Sequence, residues 1–308
     1  MAQFQTPMGR GDRLLLERQF REAQRQAERD ELDQRIRNHA RSVRRSARAR
    51  KLRAAAQRQL DFLAVGDSWF DYPLTDDGWP SDYDHSIIGE YNLLSMGNPN
   101  PLILSFAHYG WASTQVLTYE NQESIIESLQ PDQWTNGKGP DAILASFGGD
   151  DIAGDQLAIY LAYGGDSSVP ATRFQGVLAS VRASYEDLCS LRDLFMPNVP
   201  IFAQCYDYAI PNGIPANSFF GPWLKPSFDF ALYQDLATST QVVHGMIDQF
   251  YQMLINLAAT TRDFYVVDTR GTIATNDWAN ELHPKSDGFN KLAQKLLTAL
   301  RSHFPGQI

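Results

Sequence analysis

Cysteine is scarce in this 308-residue chain. Cys189 and Cys205 stand apart and outside any CxxC spacing, so they build neither a metal cluster nor a disulfide framework, a usage that suits a reducing compartment. No run of about 18 apolar residues occurs, which argues against a membrane-spanning helix. The N-terminus also lacks the apolar stretch of a secretory signal, so the expected location is cytoplasmic. Disorder throughout is excluded too, because 43% of the residues are hydrophobic and 12% aromatic, enough for a sizeable core. Two further absences are local. Residues 13–59 hold no proline or glycine, and residues 34–60 hold no acidic residue.

Those local gaps divide the chain electrostatically. Residues 1–60 carry 16 basic against 7 acidic residues, a net charge of +9, whereas the remainder carries 11 against 29, a net of −18. A border near residue 60 is therefore expected, with a basic helical arm over 1–60 and a second domain over 61–308. Within the arm, Leu16, Phe20, Ala23 and Ala27 recur at helical spacing, as do Leu32, Ile36, Ala40, Val43 and Ala47. The composition favours helix, yet the apolar stripe is thin, so the arm needs a surface to pack on. Three partners suit it: the acidic body of the same chain, an anionic membrane or nucleic acid, or a second copy forming a homo-oligomer.

Beyond residue 60, short apolar runs alternate with longer amphipathic segments. The runs are Phe62–Val65, Leu102–Phe106, Ala142–Phe147, Ile201–Gln204 and Phe264–Val267, with helix-like stretches near 84–96, 112–129, 172–193, 237–260 and 285–302. This alternation predicts an α/β fold, a three-layer α/β/α sandwich on a five-stranded parallel sheet, preceded by the long N-terminal helix. Ligands of such sheets bind beyond the carboxyl ends of the strands. The residues following each run are thus the candidates.

Four blocks sit there. Gly66-Asp67-Ser68-Trp69 follows the first run, Tyr109-Gly110-Trp111 the second, and Gly148-Gly149-Asp150-Asp151 the third; Asn280-Glu281-Leu282-His283 precedes the last helix. Taken alone, Gly-Asp-Ser is ordinary turn chemistry and His283 an ordinary residue near a helix start. In this order the blocks resemble the SGNH/GDSL hydrolases, a family of esterases and lipases, over roughly residues 61–303. The resemblance implies a flavodoxin-like strand order and hydrolysis of an acyl ester. It makes Ser68 the nucleophile and His283 the general base. It builds the oxyanion hole from the N–H groups of Ser68 and Gly110 and from the residue at position 150. The chemistry is consistent with these types: a serine hydroxyl needs a neighbouring imidazole to remove its proton, and the oxyanion that forms needs preorganised donors.

Two positions depart from the family pattern. Asp150 stands where the family has an Asn donor, and an ionised carboxylate cannot donate. Either burial keeps Asp150 protonated, or the two backbone donors suffice at reduced rate, or the protein is catalytically weakened and serves as a binding module. Asn280 stands where the family has the Asp that orients the histidine; an Asn accepts the imidazole proton's bond but supplies no charge. Asp67 and Asp151 are expected to support the site, Asp151 by bonding loop backbone near Ser68. Nothing in the blocks requires a metal or other cofactor. The aromatic segment from Tyr206 to Tyr233 is either a functional loop or a hydrophobic cluster pinning the basic helix. As a functional loop it adds Tyr208, Phe220 and Trp223, together with Trp69, as a binding surface for a small or lipid-like ester.

Overall fold

All five apolar runs become strands of one sheet. The computed structural model describes residues 10–52, 58–89 and 100–308. In it β1 (Asp61–Gly66), β2 (Leu102–Ser105), β3 (Ala142–Ser146), β4 (Ile201–Gln204) and β5 (Phe264–Val267) pair in parallel, in the order β2-β1-β3-β4-β5. Every residue of β1, β3 and β4 is buried. Successive strand residues point to opposite faces, so both faces of the central sheet are covered. The strand order reverses direction between β1 and β3, where a crevice opens beyond the carboxyl ends. Gly66 closes that end of β1: it pairs with Ser146, and a Cβ there would lie 2.5 Å from the Ser146 carbonyl oxygen. No side chain larger than hydrogen fits.

Three long helices match the predicted segments closely, at Ala171–Phe195 (α5), Leu236–Ala258 (α7) and Ser286–His303 (α8). Two expectations need correction. The stretch 112–129 is two helices, α2 (Ser113–Val116) and α3 (Tyr119–Glu127), because the Thr118 side chain caps the second by accepting the Asn121 N–H at 3.3 Å. The stretch 84–96 is not helical over 84–89, where turns place His85 on a loop, and residues 90–99 lie outside the described part. The shorter helices α4 (Leu157–Tyr160) and α6 (Lys225–Phe230) lie in the connections after β3 and β4.

The basic arm is helix α1, Arg10–Leu52. Its second half packs against the edge strand β2 and the Pro131–Gln133 turn, burying His39, Ala40, Val43 and Ser46. Charge fixes the docking. Arg35 donates to Asp71 Oδ1 at 2.8 Å and to the Ala107 carbonyl at 2.7 Å, and Arg50 donates to the Thr135 carbonyl at 3.0 Å. Beyond the helix, Arg58 grips both oxygens of Asp141. The first half behaves differently, with Leu14, Leu15, Leu16 and Phe20 exposed. Arg37, Arg41, Arg44, Arg45 and Arg48 also face solvent.

Candidate active site

Ser68 and His283 meet at the carboxyl end of β1, 215 positions apart in sequence. Ser68 Oγ lies 2.7 Å from His283 Nε2. Two cross-links from the segment after β1 hold the histidine loop in place. Trp69 donates its indole N–H to the Leu282 carbonyl at 3.1 Å, and Tyr72 Oη accepts from Asn280 Nδ2 at 3.1 Å. The Tyr72 ring also stacks on the imidazole, with centroids 4.4 Å apart.

Asn280 sets the tautomer. Its Oδ1 accepts the Leu282 and His283 backbone N–H groups at 3.0 and 2.9 Å, which identifies that atom as the oxygen. His283 Nδ1 lies 3.1 Å from the same oxygen and must therefore carry its hydrogen. Nε2 is left with a lone pair aimed at Ser68, whose hydroxyl donates to it. Burial holds the His283 imidazole down, to about 3, so it is neutral at ordinary pH.

The third block lies across the same crevice. Asp150 is half-buried, and its carboxyl makes no hydrogen bond among the described residues, while its backbone carbonyl accepts from Gln156 at 2.7 Å. Burial, and after it the charge of Asp151, push the Asp150 carboxyl up to about 7. Asp67 is fully enclosed: Oδ1 accepts the Trp69 N–H at 3.0 Å, and Oδ2 accepts a short bond from Tyr206 Oη. Tyr206 in turn accepts the Gly149 N–H at 3.0 Å. Burial raises the Asp67 carboxyl well above the usual range, with the charge of Asp150 adding to it. The N–H groups of Ser68 and Gly110 have no protein acceptor among the described residues. Gly110 adopts φ +76°, a left-handed conformation suited to glycine, two residues past His108, whose N–H bonds the Gly66 carbonyl.

Several expected residues lie elsewhere. Asp151 does not bond the loop beside Ser68; it accepts the Ser113 N–H at 2.7 Å and the Ser113 hydroxyl at 2.8 Å, fastening the start of α2. Tyr208 is drawn away from the crevice, its hydroxyl donating to Asp248 at 2.8 Å and its ring stacking on His244. Phe220 is exposed on the outer surface. Trp69 does line the cavity beside Ser68, and Trp223 packs its ring edge-on against His283 with centroids 5.4 Å apart.

Besides Asp67, Ser68, Trp69, Gly149, Asp150 and Leu282 from the motif blocks, the cavity is lined by residues that those blocks do not contain. It has a volume of about 80 Å³ and opens next to Ser68. One wall is the α7 face made by Val243, Met246, Ile247 and Phe250; Leu157 and Leu224 also line the cavity. Helical spacing marks 243, 246, 247 and 250 as one apolar face, but not which surface that face covers. Glu281 is the other unforeseen residue. Fully buried, it accepts four backbone N–H groups, from Gly213, Trp223, Leu224 and Lys225. Asp207 does the same for Tyr208, Gly271, Thr272 and Ile273.

Comparison with known proteins agrees with this architecture. No protein-family model matches the chain, and no curated protein matches it. Among solved structures, a lipase from a goat rumen metagenome superimposes with a TM-score of 0.51 at 15% identity, over 78% of this chain and 97% of that one. An extracellular lipase from Streptomyces rimosus gives 0.49 at 15% identity, over 78% and 99%. A phospholipase A1 from Streptomyces albidoflavus NA297 gives 0.48 at 12% identity, also over 78% and 99%. The class is thus a three-layer α/β sandwich on a parallel sheet. More particularly, the chain has the SGNH/GDSL hydrolase fold.

Proposed function

We propose that this protein hydrolyses carboxylic esters through Ser68 and His283. The observation that carries the reading is the 2.7 Å contact between Ser68 Oγ and a neutral His283 Nε2 at the mouth of an apolar cavity. Ser68 Oγ attacks the ester carbonyl carbon while His283 takes the hydroxyl proton. The tetrahedral oxyanion is held by the free N–H groups of Ser68 and Gly110 and, when protonated, by the Asp150 carboxyl. The carbon–oxygen bond to the alcohol then breaks, and His283 returns the proton to the departing alkoxide. In the second half, His283 takes a proton from water as it attacks the acyl group on Ser68. The bond between Ser68 Oγ and the acyl carbon then breaks, His283 returns its proton to Oγ, and the acid leaves. A fluorophosphonate probe tests the reading: the expected result is a single adduct on Ser68, lost in His283→Ala. Unlabelled Ser68 in folded protein would reject it.

Asp150 makes the reaction pH-dependent with a definite sign. Its carboxyl is neutral below about 7 and donates to the oxyanion; above that it is ionised and repels it. His283 imposes no loss near pH 6, since its imidazole stays neutral far into acid. The expected profile of kcat/KM is therefore flat in mild acid and falls as pH rises through about 7. Asp150→Asn, which donates at every pH, removes that fall and exceeds the parent at pH 8. A parent profile that keeps rising to pH 9 would exclude Asp150 as a donor.

The exposed cations of α1 support a second reading, in which the arm also holds the protein on an anionic surface. Arg37, Arg41, Arg44, Arg45 and Arg48 face solvent while Arg35 and Arg50 dock the helix. Binding to phosphatidylglycerol vesicles that weakens steeply with salt is expected, and salt-insensitive or absent binding rejects the idea.

A further inference from the structure

We infer that the ester is one of a short, uncharged acyl group, whose alkyl tail lies against Met246 and Phe250; this rests on the reaction proposed above. The cavity beside Ser68 has the α7 residues Val243, Met246, Ile247 and Phe250 along one side, with Leu157 and Leu224 also in its lining. Met246, Phe250, Leu157 and Leu224 are all buried, and Val243 completes the α7 side. A volume of about 80 Å³ is roughly half of the ~150 Å³ apolar cavity that accommodates benzene, which leaves room for about three carbons beyond the carbonyl. The walls are well supported. Phe250 packs on Tyr206 with centroids 5.3 Å apart, and Tyr206 is held by Asp67 and Gly149. Widening by thermal motion alone therefore has to disturb the bonds behind Ser68.

Polarity narrows the class further. No Lys, Arg or His lines the cavity, whereas the acids Asp67, Asp150 and Asp207 are among the residues that do. A succinyl or other anionic tail would enter an apolar space rimmed by acids, without a counter-charge. A long chain meets the α7 wall. Acetyl, propionyl and butyryl groups fit both limits.

Met246 is the residue to vary, because its flexible side chain fills space without a polar partner to lose. The experiment compares p-nitrophenyl acetate, butyrate, hexanoate, octanoate and monosuccinate on the parent, Met246→Ala, Met246→Phe and Ser68→Ala. For the parent, kcat/KM is expected to peak at acetate or butyrate and to fall by roughly tenfold or more at octanoate and at succinate. Met246→Ala should move the peak to hexanoate, and Met246→Phe should leave acetate as the one good substrate. A parent that prefers octanoate overturns the inference, and so does a Met246→Ala profile that does not shift, while Ser68-dependent hydrolysis leaves the proposed reaction standing. Folded protein that hydrolyses none of these esters and leaves Ser68 unlabelled by a methyl fluorophosphonate removes the reaction and the inference together. If the methyl probe labels Ser68 and an octyl probe does so equally fast, the size limit alone is wrong.

Discussion

Ser68→Ala lowers kcat for p-nitrophenyl butyrate hydrolysis by on the order of 10⁴-fold, and His283→Ala does the same. The double variant is expected to be no slower than either single one. The reason is geometric: Ser68 Oγ and His283 Nε2 share one hydrogen bond at 2.7 Å, so removing either end leaves the other without a function in the chemical step. A serine without its base is a neutral hydroxyl, and an imidazole without the serine has no bound nucleophile to activate. The fold should survive both changes. Ser68 is half-buried, and the loop that carries it is held by Trp69, Tyr72 and Asp67 through bonds that do not involve its hydroxyl. Unfolding midpoints within a few degrees of the parent would confirm that activity, not folding, was lost. Losses that multiply in the double variant would mean that the two groups act independently.

Glu281→Ala is expected to be the most destabilising single change at the site, costing about 4 kcal/mol or more. The carboxylate is fully buried and accepts from Gly213 at 2.8 Å, Trp223 at 2.6 Å, Leu224 at 2.7 Å and Lys225 at 2.9 Å. Alanine leaves four backbone donors to find water or nothing, and buried N–H groups without acceptors are costly. Glu281→Gln is also expected to be severe, because its amide N–H₂ would face backbone N–H groups where an acceptor is needed. At 2–4 °C per kcal/mol for a domain of this size, the alanine variant should melt roughly 10 °C lower. Activity falls with it, since Trp223 packs against His283 and leaves with the released loop. Urea unfolding followed by tryptophan fluorescence measures the first effect; an unchanged midpoint would mean that the four bonds are replaceable.

Much of this molecule is written locally. The apolar runs at 62–65, 142–147 and 201–204 are strands because consecutive apolar residues between breakers bury on both sheet faces, and the run at 264–267 pairs at the sheet edge with Phe264 and Val267 buried. The helices at 171–195, 236–258 and 286–303 follow from periodic apolar positions without internal proline. The blocks bearing Ser68, Gly110, Asp150 and His283 stand at strand or helix ends because small and polar residues mark where an element stops. All of these are relations between near neighbours in the chain. The break at Thr118 was local too, but a single cap is a weaker signal than the apolar spacing running across it.

Other features exist only once distant segments are in contact. Asn280 becomes an orienter because Leu282 and His283 fix its amide, and Tyr72, 208 positions away, holds the other end. Glu281 reads as a surface acid until the loop from Gly213 to Lys225 folds around it. Tyr208 and Phe220 lie in the aromatic segment that overhangs the crevice but face outward, because Asp248 and His244 offer Tyr208 partners on the other side. The cavity beside Ser68 takes its wall from α7, almost two hundred residues later, and which face of a helix meets which crevice is decided by packing. Sequence pattern therefore determined the elements and the reactive residue types. The strand order followed from the family resemblance, while the charge state of Asp150 and the shape of the space beside Ser68 were decided by tertiary contacts, since burial and cavity volume are properties of surfaces brought together and not of neighbours along a chain.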